Sequence, residues 1–198
     1  FIRGESTGRF SKINLLQDSK VIEQVINKRA QDNGKGRVFH NKLTAYTSAF
    51  FKNYVSTFSP EFLVLSGDPN PRHSVRGFGV YLAEILPFII LALIKLKDEF
   101  NLTNQFFLAW LVIGPIPASL TSTGRYHATR LFLIIFPLIY FTVQGISYGL
   151  KLVKNKKIKI ILSLFFIGVT LFNFIEYQHH YYAHSPKNSW KHFSYGYR

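Results

Sequence analysis

The chain has 198 residues, 24 of them lysine or arginine against 10 aspartate or glutamate, for a net charge of +14. It has no cysteine, so disulfides and thiolate zinc sites are excluded, and it carries no Gly-rich phosphate loop, GxSxG elbow, HExxH helix or dinucleotide fingerprint. The positive charge lies in the connecting loops without a nucleic-acid motif, so membrane topology and anionic lipid phosphates account for it and nucleic acid is not an expected partner.

Phe1–Gln17 reads as irregular. Asp18 reads as the N-cap of a helix running to about Asn33, with Val21, Ile22, Val25 and Ile26 on one face and Asn33-Gly34-Lys35-Gly36 closing it. In Arg37–Thr57, residues Leu43, Tyr46, Thr47, Phe50, Phe51 and Tyr54 recur at helical steps, a stripe suited to packing or to a membrane interface. Ser59-Pro60-Glu61 predicts a fresh helix start.

The loop that follows, Gly67-Asp68-Pro69-Asn70-Pro71, is dense in turn-forming residues and leads directly into Arg72, His73 and Arg76. Two readings of it stand side by side. In one, Asp68 stabilises the turn and the arginines mark a membrane boundary. In the other, guanidinium groups hold a phosphate bidentately while His73 bonds the same group or relays a proton.

Four segments are long and apolar enough to be read as spans: Phe78–Leu96, Gln105–Leu120, Leu131–Leu150 and Ile158–Glu176. The first carries Glu84, either a functional carboxyl facing protein or a solvated interfacial one. The second is broken by Gly114-Pro115-Ile116-Pro117. Between the second and third, the Ala118–Arg130 loop holds Arg125, His127 and Arg130.

The Lys151–Lys159 link contains five lysines and no acid, which predicts a cytoplasmic loop. Alternation then makes residues 97–104 and 151–157 cytoplasmic and residues 1–77, 118–130 and 177–198 extracytoplasmic, so the two arginine–histidine clusters share the outer face. The expected fold is all-α, a polytopic helical bundle in the cell membrane. Its parts are a juxtamembrane helical region (1–77), a four-helix transmembrane region (78–176) and the start of an outer tail (177–198). In the tail, His180 and His184 have i,i+4 spacing that suits a metal, but no third ligand accompanies them and Ser185-Pro186 breaks the segment, so an aromatic interfacial belt is the favoured reading. The chain has no methionine and no signal-like start, which leads to the expectation that it is the C-terminal portion of a larger protein.

Several phrases carry a family resemblance: RVFHNKLTAYTSAFFKNYVSTFSPEFLVLSGDPNPRHS, PIPASLTSTGRYHATR and NSWKHFSYGYR. From about Arg9 to Arg198 the chain resembles the C-terminal part of bacterial membrane glycosyltransferases of the dolichyl-phosphate-mannose protein mannosyltransferase-like group, which is glycosyltransferase family 39 with the GT-C fold. The resemblance implies transfer of a sugar, with inversion, from a polyprenyl-phosphate donor to a protein or glycan acceptor on the outer face. In that family the general base is an acid in the first outer loop, and no residue here corresponds to it.

For this portion the resemblance implies binding of the lipid-phosphate headgroup, with Arg72, His73, Arg125, His127 and Arg130 as candidates. A departing phosphate needs its growing charge stabilised, and such groups do that. No cofactor beyond the donor lipid is expected and no metal ligands are assigned, although a divalent ion is left open. The alternatives are part of a transporter or flippase, or a non-catalytic membrane scaffold. The clustering of charge at the outer surface, without repeated bundles or polar residues at mid-span, favours the transferase.

Overall fold

A computed structural model describes residues 13–32 and 37–192. The described residues form helices and turns with no strand; one antiparallel bridge joins Asn14 to Thr121. The glycine-rich helix stop expected at residues 33–36 and the ends of the chain lie outside the described residues.

Helix α1 spans Ser19–Gln31, and the Asp18 carboxylate caps it by accepting from the Lys20 backbone N–H at 2.9 Å. Helix α2 spans Lys42–Ser56. It starts at Asn41 in a reciprocal capping box, with the Thr44 N–H on Asn41 Oδ1 at 2.9 Å and the Asn41 N–H on Thr44 Oγ1 at 3.2 Å. The start predicted at Ser59-Pro60-Glu61 is there as well, as a single wide turn over Glu61–Leu65. Ser59 Oγ accepts from the Phe62 N–H, and the turn closes on the Ser66 N–H to Glu61 O bond at 2.8 Å.

The apolar second half differs from the four-span expectation in its first two members. In Phe78–Leu96 only α3, Leu86–Lys95, is α-helical; ten residues rise about 15 Å, half a hydrocarbon core. Ala83–Ile85 before it form a single 3-10 turn, and residues 78–82 are irregular. Val80 and Tyr81 donate their backbone N–H groups to Phe62 O and Leu63 O, and Gly79 lies so close that a Cβ would sit 2.3 Å from Leu63 O. The wide turn thus takes up the start of the segment.

The second expected span is α4, Leu102–Ile113, followed by the single turn α5, Ile116–Ser119. The break falls at Gly114-Pro115, and Pro117 sits in the first turn of α5, where a missing N–H is tolerated. Two helical stretches are long and apolar enough to cross a membrane. Phe132–Leu152 contains α6, Ile135–Leu152, and Lys156–Ser189 contains α7, Lys156–His179, continued through a wide turn at His180–His184 into α8, Ser185–Ser189.

Contacts fix the directions of these helices. Phe88 meets Gly145 and Leu91 meets Gly149, ascending both chains, so α3 and α6 run parallel. Trp110 stacks near Phe136 at 5.7 Å and Phe107 on Tyr140 at 3.9 Å, so α4 runs against α6. Asn173 bonds Glu84 at 2.8 Å and Phe166 meets Phe88 at 4.7 Å, so α7 runs against α3. Chain direction therefore alternates from α3 to α7.

Lys95, Glu99 and Lys151 gather at one end, where the Lys95–Glu99 pair is 2.7 Å long. There Lys95 first, and Lys151 more weakly, hold the Glu99 carboxyl below its ordinary pKa. At the opposite end the core of Phe62, Leu63, Leu131, Ile134 and Leu138 closes beneath the two polar loops. Helix α7 buries none of its residues.

Candidate functional site

The loop after the wide turn is held by Asp68. Its side chain is 4% exposed, and Oδ1 accepts from the Asn70 N–H at 2.8 Å, as an Asx turn does. Its other oxygen reaches outside the turn: Oδ2 accepts from the Ala128 backbone N–H at 2.9 Å and meets His73 Nδ1 at 2.8 Å. Ser74 Oγ donates to the Asp68 carbonyl at 2.6 Å, and Gly67 takes the left-handed φ of +66° that the loop entry requires. A single carboxylate therefore ties Gly67–Ser74 to the Ala118–Arg130 loop, 60 residues away.

That tie brings the two histidines together. The His73 and His127 rings stack with centroids 4.8 Å apart at 28°, and His127 Nδ1 lies 4.0 Å from Asp68 Oδ2 and 3.0 Å from Thr129 Oγ1. Burial, then the Arg130 charge, pull the His127 imidazole below its ordinary pKa; Asp68 opposes them.

The loop bearing His127 is tightly specified. Gly124 lies against Ala118, where a Cβ would come 2.0 Å from the Ala118 carbonyl oxygen. Tyr126 holds a left-handed φ of 56°, rare for a residue with a side chain. Its ring stacks on Phe62 at 5.9 Å, which anchors the strained residue to the core immediately before His127.

The arginines do not converge on one point. Arg130 turns inward, and its Nη1 donates to Thr121 Oγ1 at 2.5 Å and Thr123 Oγ1 at 2.9 Å, bracing its own loop. Partial burial lowers its pKa from the ordinary value, while a guanidinium stays charged at neutral pH. Arg125 stacks on the Tyr126 ring at 4.7 Å and donates to its hydroxyl at 3.1 Å.

Arg125 lines a separate groove of about 620 Å³ between α1 and α2, together with Lys20, Lys28 and Lys52. Arg72 is exposed beside His73, its backbone N–H on Asn70 Oδ1 at 3.1 Å. Of the five predicted site residues, His73 and His127 are in contact, Arg130 and Arg72 flank them, and Arg125 faces the other groove.

Beside His73 opens a cavity of about 470 Å³, within the range of small-ligand sites. Its walls are mainly apolar, with Tyr81, Leu82, Leu131, Leu138, Phe174 and Tyr177 among them, and His73, Ser74 and Thr129 give it one polar edge. Asp68 is the member of the site that its residue type did not reveal. Asp-Pro-Asn-Pro explains itself as a turn, and nothing local announces that the second carboxylate oxygen serves a distant loop.

At the tail, the His180 and His184 rings lie 4.9 Å apart with His179 beside them, but the cluster of metal-capable side chains among the described residues is Asp68, His73 and His127. No family model, curated protein or solved structure matches this chain.

Proposed function

We propose that this chain is part of a membrane glycosyltransferase that takes sugar from a polyprenyl-phosphate donor at the outer membrane face, and that its share is the grip on the donor's headgroup. One observation carries this reading: an apolar cavity of about 470 Å³ with His73, Ser74 and Thr129 at its polar edge and His127 stacked on His73, which suits an amphiphile with an anionic head. His73 and the exposed Arg72 meet the phosphate, His127 and the Arg130 charge stand behind them, and the apolar walls meet the first prenyl units. Arg125, directed to the lysine-lined groove, belongs with an anionic acceptor or a lipid surface.

In this proposal all four apolar segments cross or enter the bilayer. The α6 and α7 stretches span it, while α3 and α4 are short because their outer ends unwind beneath the polar loops, a place where irregular backbone is tolerated. The alternating helix directions and the lysines at the far end support this orientation. The acid–base step is assigned to no residue of this chain.

The test is transfer from a polyprenyl-phosphate sugar in vesicles holding the protein that contains this chain. Arg72→Ala and Arg130→Ala are each expected to lower turnover sharply, with Arg72→Lys retaining more than Arg72→Ala. Arg72 is exposed, so its loss should leave folding intact. Unchanged turnover in both alanine variants removes the phosphate grip.

A further inference from the structure

Asp68, His73 and His127 present one carboxylate oxygen and two imidazoles, and their ligand atoms all lie within 4.8 Å of one another. We propose that they bind a single divalent transition-metal ion of the zinc class. The ligand set is the one such ions take, two nitrogens and an oxygen, with a fourth position left open. Around a tetrahedral ion, ligand atoms ~2.1 Å from the metal stand roughly 3.4 Å apart. The two spacings to Asp68 Oδ2 bracket that value, at 2.8 Å from His73 and 4.0 Å from His127.

The cluster is also built as metal sites are. The Asp68 carboxylate is fixed by the Asn70 and Ala128 N–H groups, as ligating carboxylates are. The histidine side chains are 20% and 19% exposed, so an ion can enter and the ligands lose little water on binding. Binding displaces two contacts: His73 takes the tautomer with its hydrogen on Nε2, which frees Nδ1 of its bond to Asp68 for the metal, and His127 Nδ1 exchanges Thr129 for the metal. The Arg130 charge nearby opposes a second cation, which makes an anion the fitting fourth ligand.

The ion's existence rests on this geometry alone. Only the identity of the fourth ligand, a phosphate oxygen reaching from the cavity edge at His73, rests on the transferase reading.

The full chain in detergent micelles, stripped with chelator, is titrated with Co²⁺ as a spectroscopic probe and then with Zn²⁺ in competition. One equivalent is expected, displaced by Zn²⁺. His127→Ala and His73→Ala should each weaken binding at least about tenfold while helicity by circular dichroism is kept. His180→Ala/His184→Ala should bind as the unmodified chain does. No uptake by the unmodified chain, unchanged affinity in both single variants, or loss confined to the tail variant overturns the site. In vesicles holding the protein that contains this chain, transfer that continues after full stripping with no ion uptake removes the ion alone; one-equivalent binding without any transfer there removes the transferase reading alone.

Discussion

Gly145 is the point where α6 touches α3 backbone to backbone. A Cβ there would stand 1.7 Å from the Phe88 carbonyl oxygen and 2.4 Å from its carbon, whereas real Cβ contacts essentially never fall under 3.0 Å. Gly145→Ala must therefore push the helices apart by at least about 1.3 Å at that level, because a backbone carbonyl cannot rotate away as a side chain does. Overpacking typically costs about 1–3 kcal/mol, and an unyielding neighbour places this site near the top of that range. Alanine's helix propensity returns about 1 kcal/mol, leaving a net loss of roughly 2 kcal/mol.

For a chain of this size that is a fall of roughly 4–8 °C in Tm. Two internal controls share the chemistry without the clash. At Gly149 the Cβ would make ordinary contact with Leu91 at 3.4 Å, and at Gly168 it would meet nothing within 4 Å. Both alanine variants should match or exceed the parent. Thermal unfolding of the three proteins in one detergent, followed by circular dichroism, decides the matter. A Gly145→Ala variant as stable as Gly168→Ala would refute the close approach of α3 and α6.

Asn104 is buried and bridges two groups, donating to the Glu99 carbonyl at 2.5 Å and accepting the Tyr140 hydroxyl at 2.6 Å. Asn104→Leu should cost about 1–3 kcal/mol by stranding both, and adding Tyr140→Phe should recover part of that loss in the same unfolding assay. Glu84 accepts from Asn173 through Oε2 while its buried Oε1 has no partner among the described residues. Glu84→Gln, which removes the charge and keeps an acceptor, should leave Tm unchanged or raise it. Glu84→Ala, which abandons Asn173, should lower it.

Local signals carried far where chemistry and geometry are both short-range. Asp18 and Ser59 were legible because their side chains bond N–H groups two or three residues on, while the Asn41 cap, of the same kind, went unread inside the stripe that begins at Arg37. The Gly114–Pro117 break was legible for the same reason. The extent of α3 was not. Apolarity over Phe78–Leu96 measures solvation, and it cannot report that Val80 and Tyr81 find their backbone partners on Phe62 and Leu63 rather than in a helix.

At the site, placing the loops on one face brought His73 and His127 into one neighbourhood on charge alternation alone. The inward turn of Arg130 was hidden, because it depends on hydroxyls at Thr121 and Thr123 that only a folded loop presents.

The two loops are held together by one carboxylate oxygen, and that makes Asp68 the residue whose loss should be felt farthest away. A turn stabiliser spends its oxygens on its own turn, as Oδ1 does with Asn70. Oδ2 instead collects the Ala128 N–H and His73 at 2.9 and 2.8 Å, and an anion is the better acceptor for both. Asp68→Asn keeps the Asx turn through its own carbonyl but must present either a neutral oxygen or an N–H₂ where two donors converge.

Hydrogen bonds to a charged group are worth about 1.5–3 kcal/mol, so local opening of the 118–130 loop should become roughly ten- to a hundredfold more frequent. Amide hydrogen exchange at Ala128 reads that opening directly, and Asn70 serves as the control within the turn. Exchange that quickens at Ala128 but not at Asn70 is the expected pattern. Equal protection at Ala128 in both proteins would mean that the loops are joined by something other than Asp68, and the histidine pair would lose the clamp that aligns it.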